Sequence, residues 1–217
     1  MSLLGVFHDI FTLEIAIAGA VFAIILVLFV VSLVRRRAGA GRSPSSRASN
    51  MPLEIGYAVA LAGIAVFLVV VTANANHRQS QIQEAARSAP DVARIDVTAY
   101  QWCWRFRHLD GPATTTGTCT EDPATRPVLV VPVGRPMELT LHSNDVVHAM
   151  WIPDFAVKSD VYPDHVNTLS MTFDHAGQWL GRCSEYCGTH HTTMDFYVRA
   201  VPEQQYQQYL ASGGQTV

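Results

Sequence analysis

The twelve residues Cys183 to Met194, CSEYCGTHHTTM, contain two cysteines, two adjacent histidines and a methionine. Thiolate, imidazole and thioether form a donor set that suits copper, whereas carboxylates and water suit magnesium or calcium. Zinc takes four ligands, commonly Cys and His, and would leave Met194 unexplained. A further imidazole, His148, is available from a turn between two predicted strands. The competing reading is a Cys183–Cys187 disulfide with surface histidines beside it. A mononuclear blue-copper site needs one Cys, two His and a weak axial Met, so the second cysteine is one too many. Two bridging sulfurs would instead hold two copper ions close together. Each ion then takes one imidazole and one weak axial ligand, and a backbone carbonyl between the cysteines fills the second axial position. Sharing one electron over two metals and two sulfurs spreads the geometric change on reduction. The residue types therefore point to electron transfer without an open catalytic position.

Such a cluster needs a scaffold, and the rest of the chain supplies two kinds. The 217 residues are 49% hydrophobic and only 15% charged, with a net charge of −3. That balance gives no sign of nucleic-acid binding, and four cysteines are too few for a disulfide scaffold. The apolar excess is concentrated in Ile15 to Val34 and Ile55 to Asn76, neither of which carries a charge. About 20 apolar residues in a helix span a hydrocarbon core of roughly 30 Å. A secretory signal is the alternative for the first stretch. Against it, MSLLGVFHD has no Lys or Arg and the apolar run is longer than a signal core. The reading is a transmembrane hairpin over 1–76, with helices at about 13–34 and 54–75 and a loop at 35–53. That loop holds Arg35, Arg36, Arg37, Arg42 and Arg47 and no acid. The positive-inside rule places it in the cytoplasm, with both termini and everything after Asn76 outside.

Residues 77–93 read as a polar linker, and 94–217 as an all-β domain. Within it IDVTAYQWCWRF, VLVVPV, MELTLHS, SMTFDH and MDFYVRAVP are short strand-like runs bounded by Pro, Gly, Asn or Asp. That punctuation predicts a Greek-key sandwich or small barrel. A short helix is expected at PEQQYQQYL. Trp102 and Trp104, two apart in AYQWCWRF, are expected on one face of a strand.

The pattern C-S-E-x-C-G-x-x-H-x-x-M, preceded by D-V-x-H and two transmembrane helices, resembles subunit II of the haem–copper cytochrome c oxidases. The resemblance runs over nearly the whole chain. It implies a cupredoxin-like extracytoplasmic domain whose dinuclear copper centre is bound by His148, Cys183, Glu185 through its carbonyl, Cys187, His191 and Met194. It also implies that the Glu185 side chain reaches a magnesium ion at the interface with the large catalytic subunit. Haem would reside only in that partner, subunit I, with subunit III as a further neighbour. His190 misses the ligand spacing and is expected to face solvent or a docking surface. His108, His142, His165 and His175 have no partners at ligand spacing and are expected to be surface or hydrogen-bonding residues.

By the same resemblance Trp102 is the electron-entry residue, receiving electrons from cytochrome c or a membrane-bound c-type cytochrome. The aromatic usual between the two tryptophans is replaced by Cys103. The compartment permits Cys103 to pair with Cys119, although spacing alone does not separate a disulfide from two free thiols. Asp145 matches a docking position, and Asp160 and Asp164 are weaker docking candidates; a solvated turn aspartate is the alternative for Asp145. The family's Pro-Gly-Arg is Pro163-Asp164-His165 here, which loses one inter-subunit contact and makes that surface more acidic. Glu54 resembles a residue at the cytoplasmic mouth of a proton channel, and is equally an ordinary acid at a helix start.

The function implied is the electron-entry subunit of a proton-pumping terminal oxidase whose partner reduces dioxygen to water. No signal or transit peptide is recognised, and with the arginine loop this suits a bacterial plasma membrane. A copper-delivery or storage protein would use the same donors but has little use for Trp102 or the hairpin. A quinol-oxidase relative that kept the fold without the metal is opposed by the intact ligand set. Nitrous oxide reductase shares the centre but requires a large additional domain.

Overall fold

The computed structural model describes residues 3–39 and 49–215, so Arg42 and Arg47 of the expected loop lie outside the described residues. Helix α1 runs Leu3–Ala38 and helix α2 runs Met51–Arg87. Both are long and apolar enough to cross a membrane, and neither apolar window is buried by the rest of the chain. Each helix extends beyond the apolar stretch that predicted it. Hydropathy marks only the part that suits lipid, whereas a helix continues through polar residues until something stops it. In α2, HRQSQIQEAAR contains neither Gly nor Pro and is rich in good helix formers, so the segment expected as a linker is helical as far as Arg87. Pro90 follows shortly afterwards. At the other end, the Asn50 N–H donates to Glu54 Oε1 at 2.9 Å, so Glu54 caps the helix where an acid also suits the positive end of the dipole.

By compactness the chain divides into Gly5–Arg78 and a second unit of Met1–Leu4 with Gln79–Val217. The second unit contains two five-stranded sheets. In the first, strands β1 (Ala93–Tyr100), β2 (Cys103–His108), β3 (Thr114–Thr116), β5 (Pro136–Ser143) and β8 (Asn167–Thr172) lie in the order β3-β2-β1-β5-β8. In the second, β4 (Val128–Pro132), β6 (His148–Ile152), β7 (Val157–Val161), β9 (Gly177–Cys183) and β10 (Asp195–Val201) lie in the order β4-β10-β9-β6-β7. The chain passes repeatedly from one sheet to the other, which makes β1 and β5 parallel, likewise β4 and β10. This is the expected Greek-key sandwich.

Alternation fixes which side chains meet between the sheets. Ile95 and Val97 of β1, Met137, Leu139 and Leu141 of β5, and Phe196 and Val198 of β10 are all buried. Trp104 and Phe106 from β2 meet Phe196 edge to face, at ring separations of 5.4 and 5.6 Å. Such pairs contribute about 0.5–1.5 kcal/mol each beyond the area they bury.

The tryptophan expectation needs correcting. Strand β1 pairs with β2 from Ile95–His108 to Tyr100–Cys103, so Gln101 and Trp102 form a two-residue hairpin turn. Trp102 therefore shares no strand face with Trp104. Reversal at Gln101 leaves Trp102 half-buried at the end of the sandwich while Trp104 is wholly enclosed. Cys119 is tied to β2 by a disulfide with Cys103, Cα to Cα 5.2 Å.

A terminal helix α3 (Glu203–Ala211) buries Tyr206, Tyr209 and Leu210. This is the i, i+3, i+4 stripe of an amphipathic helix. Tyr206 hydroxyl lies 3.0 Å from His108 Nδ1, and His108 is 2% exposed. Burial disfavours its charged form and pushes His108 from the usual 6.5 down to about 4. The folded chain thus refuses a proton that the unfolded chain accepts. Stability from this group is complete above pH 6.5 and is lost as pH falls through about 4, a difference of about 3 kcal/mol. Urea unfolding of the full-length protein in detergent should show that decline, and His108→Gln should flatten it. A slope unchanged by the substitution would assign the acid sensitivity to other groups.

Candidate metal centre

Strand pairing explains how a remote histidine reaches the cysteine loop. Strand β9 ends at Cys183, and β6, which opens with His148, is its neighbour through Met150–Cys183. His148 is therefore the first residue of a strand and fully buried, not part of the preceding turn. Residues 184–194 connect β9 to β10 and fold back over the end of the sheet. The Ser184 N–H donates to Ala149 O at 3.0 Å, and the Cys183 N–H to Met194 O at 3.1 Å. A turn of 3-10 helix, His191–Thr193, brings His191 and Met194 round to the sulfurs.

The six expected ligand positions converge. Cys183 and Cys187 are free thiols with their sulfurs 3.9 Å apart, far beyond the roughly 2 Å of a disulfide. His148 Nδ1 is 3.8 Å from Cys183 Sγ, and His191 Nδ1 is 3.6 Å from Cys187 Sγ. Met194 Sδ is 3.8 Å from Cys187 Sγ, and the Glu185 carbonyl is 3.3 Å from Cys183 Sγ. The pattern is a pair of sulfurs, each with its own imidazole, flanked by a thioether and a carbonyl. Among the described residues, His148, Cys183 and Cys187 are the group of possible ligand atoms lying within 4.8 Å of one another.

Electrostatics sharpen what the pocket accepts. Burial pushes both thiols up. Hydrogen bonds from His148 and the Ala149 and Glu185 backbones outweigh this at Cys183, bringing it to about 7. Burial, then the charge and hydrogen bond of Cys183, hold Cys187 up at about 12. One thiolate forms readily; the second needs a cation beside it. Soft sulfur and imidazole donors that share negative charge in a buried pocket fit copper.

A second layer of contacts fixes the first. Gln101 Nε2 and Trp102 Nε1 both donate to the Cys187 carbonyl, at 2.8 and 3.0 Å. Trp104 Nε1 donates to the Met194 carbonyl at 3.2 Å. His190 is exposed, and its ring lies against Trp102 at 4.9 Å in an edge-to-face contact. Gln101, His190 as a packing partner, and the backbone at Gly188 are contributors that motif spacing did not reveal. Gln101 in particular has no periodic or ligand-like signature.

The remaining candidates are more dispersed. Asp145 has a side chain 29% exposed, but both of its oxygens are engaged. Asp160 accepts from the Tyr162 hydroxyl at 3.1 Å and pairs with Lys158 at 3.3 Å. Asp164 is 80% exposed beside His165 at 2.8 Å. Glu185 Oε2 lies 3.7 Å from the Lys158 ammonium. His142 contacts Asn144 and His175 contacts Trp179.

Gly188 has φ +122°, and a Cβ there would lie 3.0 Å from Trp102 Nε1 and 3.3 Å from Gln101 Nε2. An L side chain is therefore strained and also intrudes on both donors to the Cys187 carbonyl. Gly188→Ala should destabilise the domain by about 1–3 kcal/mol and shift the Trp102 fluorescence. Denaturant unfolding of the full chain reads the first effect, and a wild-type midpoint would discount the strain.

Comparison with known proteins agrees with this geometry. The family model described as "Cytochrome C oxidase subunit II, periplasmic domain" matches residues 119–201. The chain is 30% identical to the probable cytochrome c oxidase subunit 2 of Streptomyces avermitilis, over 93% of this chain and 73% of that one. It is also 30% identical to the probable subunit 2 of Nocardia farcinica, over 90% and 67%. Among solved structures, it is similar to the periplasmic domain of cytochrome oxidase subunit II from Bradyrhizobium japonicum. There the TM-score is 0.51 at 26% identity, covering 56% of this chain and 93% of that domain. Two apolar helices followed by a cupredoxin-like Greek-key sandwich with a cysteine–histidine site complete the match, and the chain belongs to the cytochrome c oxidase subunit II family.

Proposed function

We propose that this chain is the electron-entry subunit of a terminal cytochrome c oxidase, with two copper ions held between Cys183 and Cys187. The observation that carries the reading is the paired geometry: two free sulfurs 3.9 Å apart, each with one imidazole at 3.6–3.8 Å. His148, Cys183, the Glu185 carbonyl, Cys187, His191 and Met194 would be the ligands. Bound there, copper would supply a one-electron couple. The chain's own residues hold the donors in place before and after transfer and keep water out, since Met194 and His148 are fully buried and both cysteines nearly so. Rigid ligands reduce reorganisation on electron transfer, and three tryptophan or glutamine donors to the Cys187 and Met194 carbonyls serve that end.

Trp102 is the proposed entry point. It is half-buried at the end of the sandwich, and its indole N–H is bonded to the carbonyl of a ligand cysteine. The donor would be cytochrome c or a membrane-bound c-type cytochrome, with Asp164 and Asp160 as docking charges that raise on-rate more than affinity. Electrons would pass to haem in subunit I, where dioxygen is reduced to water with proton pumping; subunit III is a further expected neighbour. The Glu185 carboxylate would reach magnesium at that interface, exchanging its Lys158 contact for the ion. Glu54 combines a capping role with proposed proton entry. Residues 1–76 form the membrane part and 94–217 the copper domain. Arg35, Arg36 and Arg37 in the last turn of α1, with Arg42 and Arg47 next in sequence, favour a bacterial plasma membrane with the copper domain and both termini outside.

Electron paramagnetic resonance of the copper-loaded full-length chain tests the centre. The expected spectrum has the hyperfine pattern of one electron shared equally by two copper nuclei; a pattern from a single nucleus sinks the dinuclear reading. Trp102→Phe should slow reduction by cytochrome c at least tenfold while the spectrum keeps the pattern of two equivalent nuclei. An unaltered rate would move electron entry elsewhere.

A further inference from the structure

Asp145 lies three residues before the proposed ligand His148, and its carboxylate is turned inward. Oδ1 lies 2.8 Å from His148 Nε2 and accepts from the Val146 N–H at 2.7 Å. The Ser143 hydroxyl lies 3.3 Å from the same oxygen. Oδ2 accepts from the Gln101 N–H at 2.7 Å. Because an ionised carboxylate can only accept, Nε2 of His148 must carry the proton. In the neutral ring that a metal requires, the lone pair then sits on Nδ1, the atom that faces Cys183 Sγ. Metal-ligating histidines characteristically give their other N–H to such a carboxylate, which fixes the tautomer and makes the ligand more basic.

Given the copper reading above, on which the inference rests, we propose that Asp145 is a positioning residue: its carboxylate sets the His148 tautomer and anchors the Gln101–Trp102 turn. One side chain thereby links the entry turn to the ligand shell. A docking charge would need an oxygen free for a cationic partner, and here both are occupied from within the chain. The loop geometry also favours this arrangement. Ser143 closes the end of β5 with its hydroxyl donating to Val146 O at 2.6 Å, which curls residues 143–146 so that Asp145 points back beneath the β1–β2 turn.

Asp145→Asn in the full-length chain separates the two roles. Asn keeps the size but removes the charge, leaving a weaker acceptor for His148. The expected results are a 10–100-fold loss of copper affinity in chelator competition and an upward shift in reduction potential, because a less basic imidazole favours the reduced metal. Asp145→Glu, which retains the carboxylate, should recover part of both. If Asn leaves affinity and potential at wild-type values and changes only the salt-dependent rate of reduction by cytochrome c, the positioning role is overturned in favour of docking.

A second measurement needs no substitution. In nitrogen-15 NMR of the metal-free wild-type chain, at a pH high enough for the His148 ring to be neutral, the remaining proton should sit on Nε2; a neutral ring with its proton on Nδ1 refutes the proposal. Should the wild-type chain take up no copper, the dinuclear reading fails, while this tautomer measurement still decides what Asp145 does.

Discussion

Two sulfurs held side by side in a nearly closed pocket set the terms for the rest of the domain. Burial raises the cost of ionising either thiol, and ionising one raises the cost of the other. The arrangement becomes electrostatically consistent when positive charge lies between the sulfurs and when neutral imidazoles supply the remaining donors. The surroundings are arranged accordingly. Backbone N–H groups point at Cys183, side-chain N–H groups point at the Cys187 carbonyl, and a carboxylate lies behind His148 rather than beside the sulfurs.

The sandwich makes this possible by placing strand ends together. Residue Cys183 ends β9, Asp195 begins β10, and His148 begins β6, and these strands are neighbours in one sheet. The opposing sheet contributes the β1–β2 turn, with Gln101 and Trp102 reaching across to Cys187. Behind the pocket, Trp104 packs on Phe196 and donates to Met194, so the aromatic core and the ligand loop share a side chain. Loss of that indole would open a cavity of the kind that costs about 3–5 kcal/mol and would free the thioether loop as well.

Asp145 shows how little a turn position says about where its side chain points. An aspartate in a turn, close to a proposed docking surface, has the sequence signature of a solvated charge or a partner contact. In the fold its carboxylate collects three N–H partners. Although burial works against it, the bonds from His148, Gln101 and Val146 hold its carboxyl below the usual carboxylate range. The sequence marks a turn there but not the direction of its side chain, since that depends on the strand that passes over it.

Local chemistry was legible wherever neighbouring residues carry it. The apolar stretches identify α1 and α2, alternation identifies β1, β5 and β10, and the Cys-x-x-x-Cys-x-x-x-His-x-x-Met spacing contains five of the six proposed ligand positions in one loop. A sequence by itself therefore determined the donor set, the two long apolar helices and the sandwich, because donor identity, hydropathy and periodicity are properties of short segments. Helix ends, the hairpin turn at Gln101–Trp102 and the orientation of Asp145 were decided only by the tertiary structure. So were the Cys103–Cys119 disulfide and the burial of His108 under α3. Each of these depends on which distant strand or helix comes to lie alongside, and that is set by packing of the two sheets rather than by any local pattern.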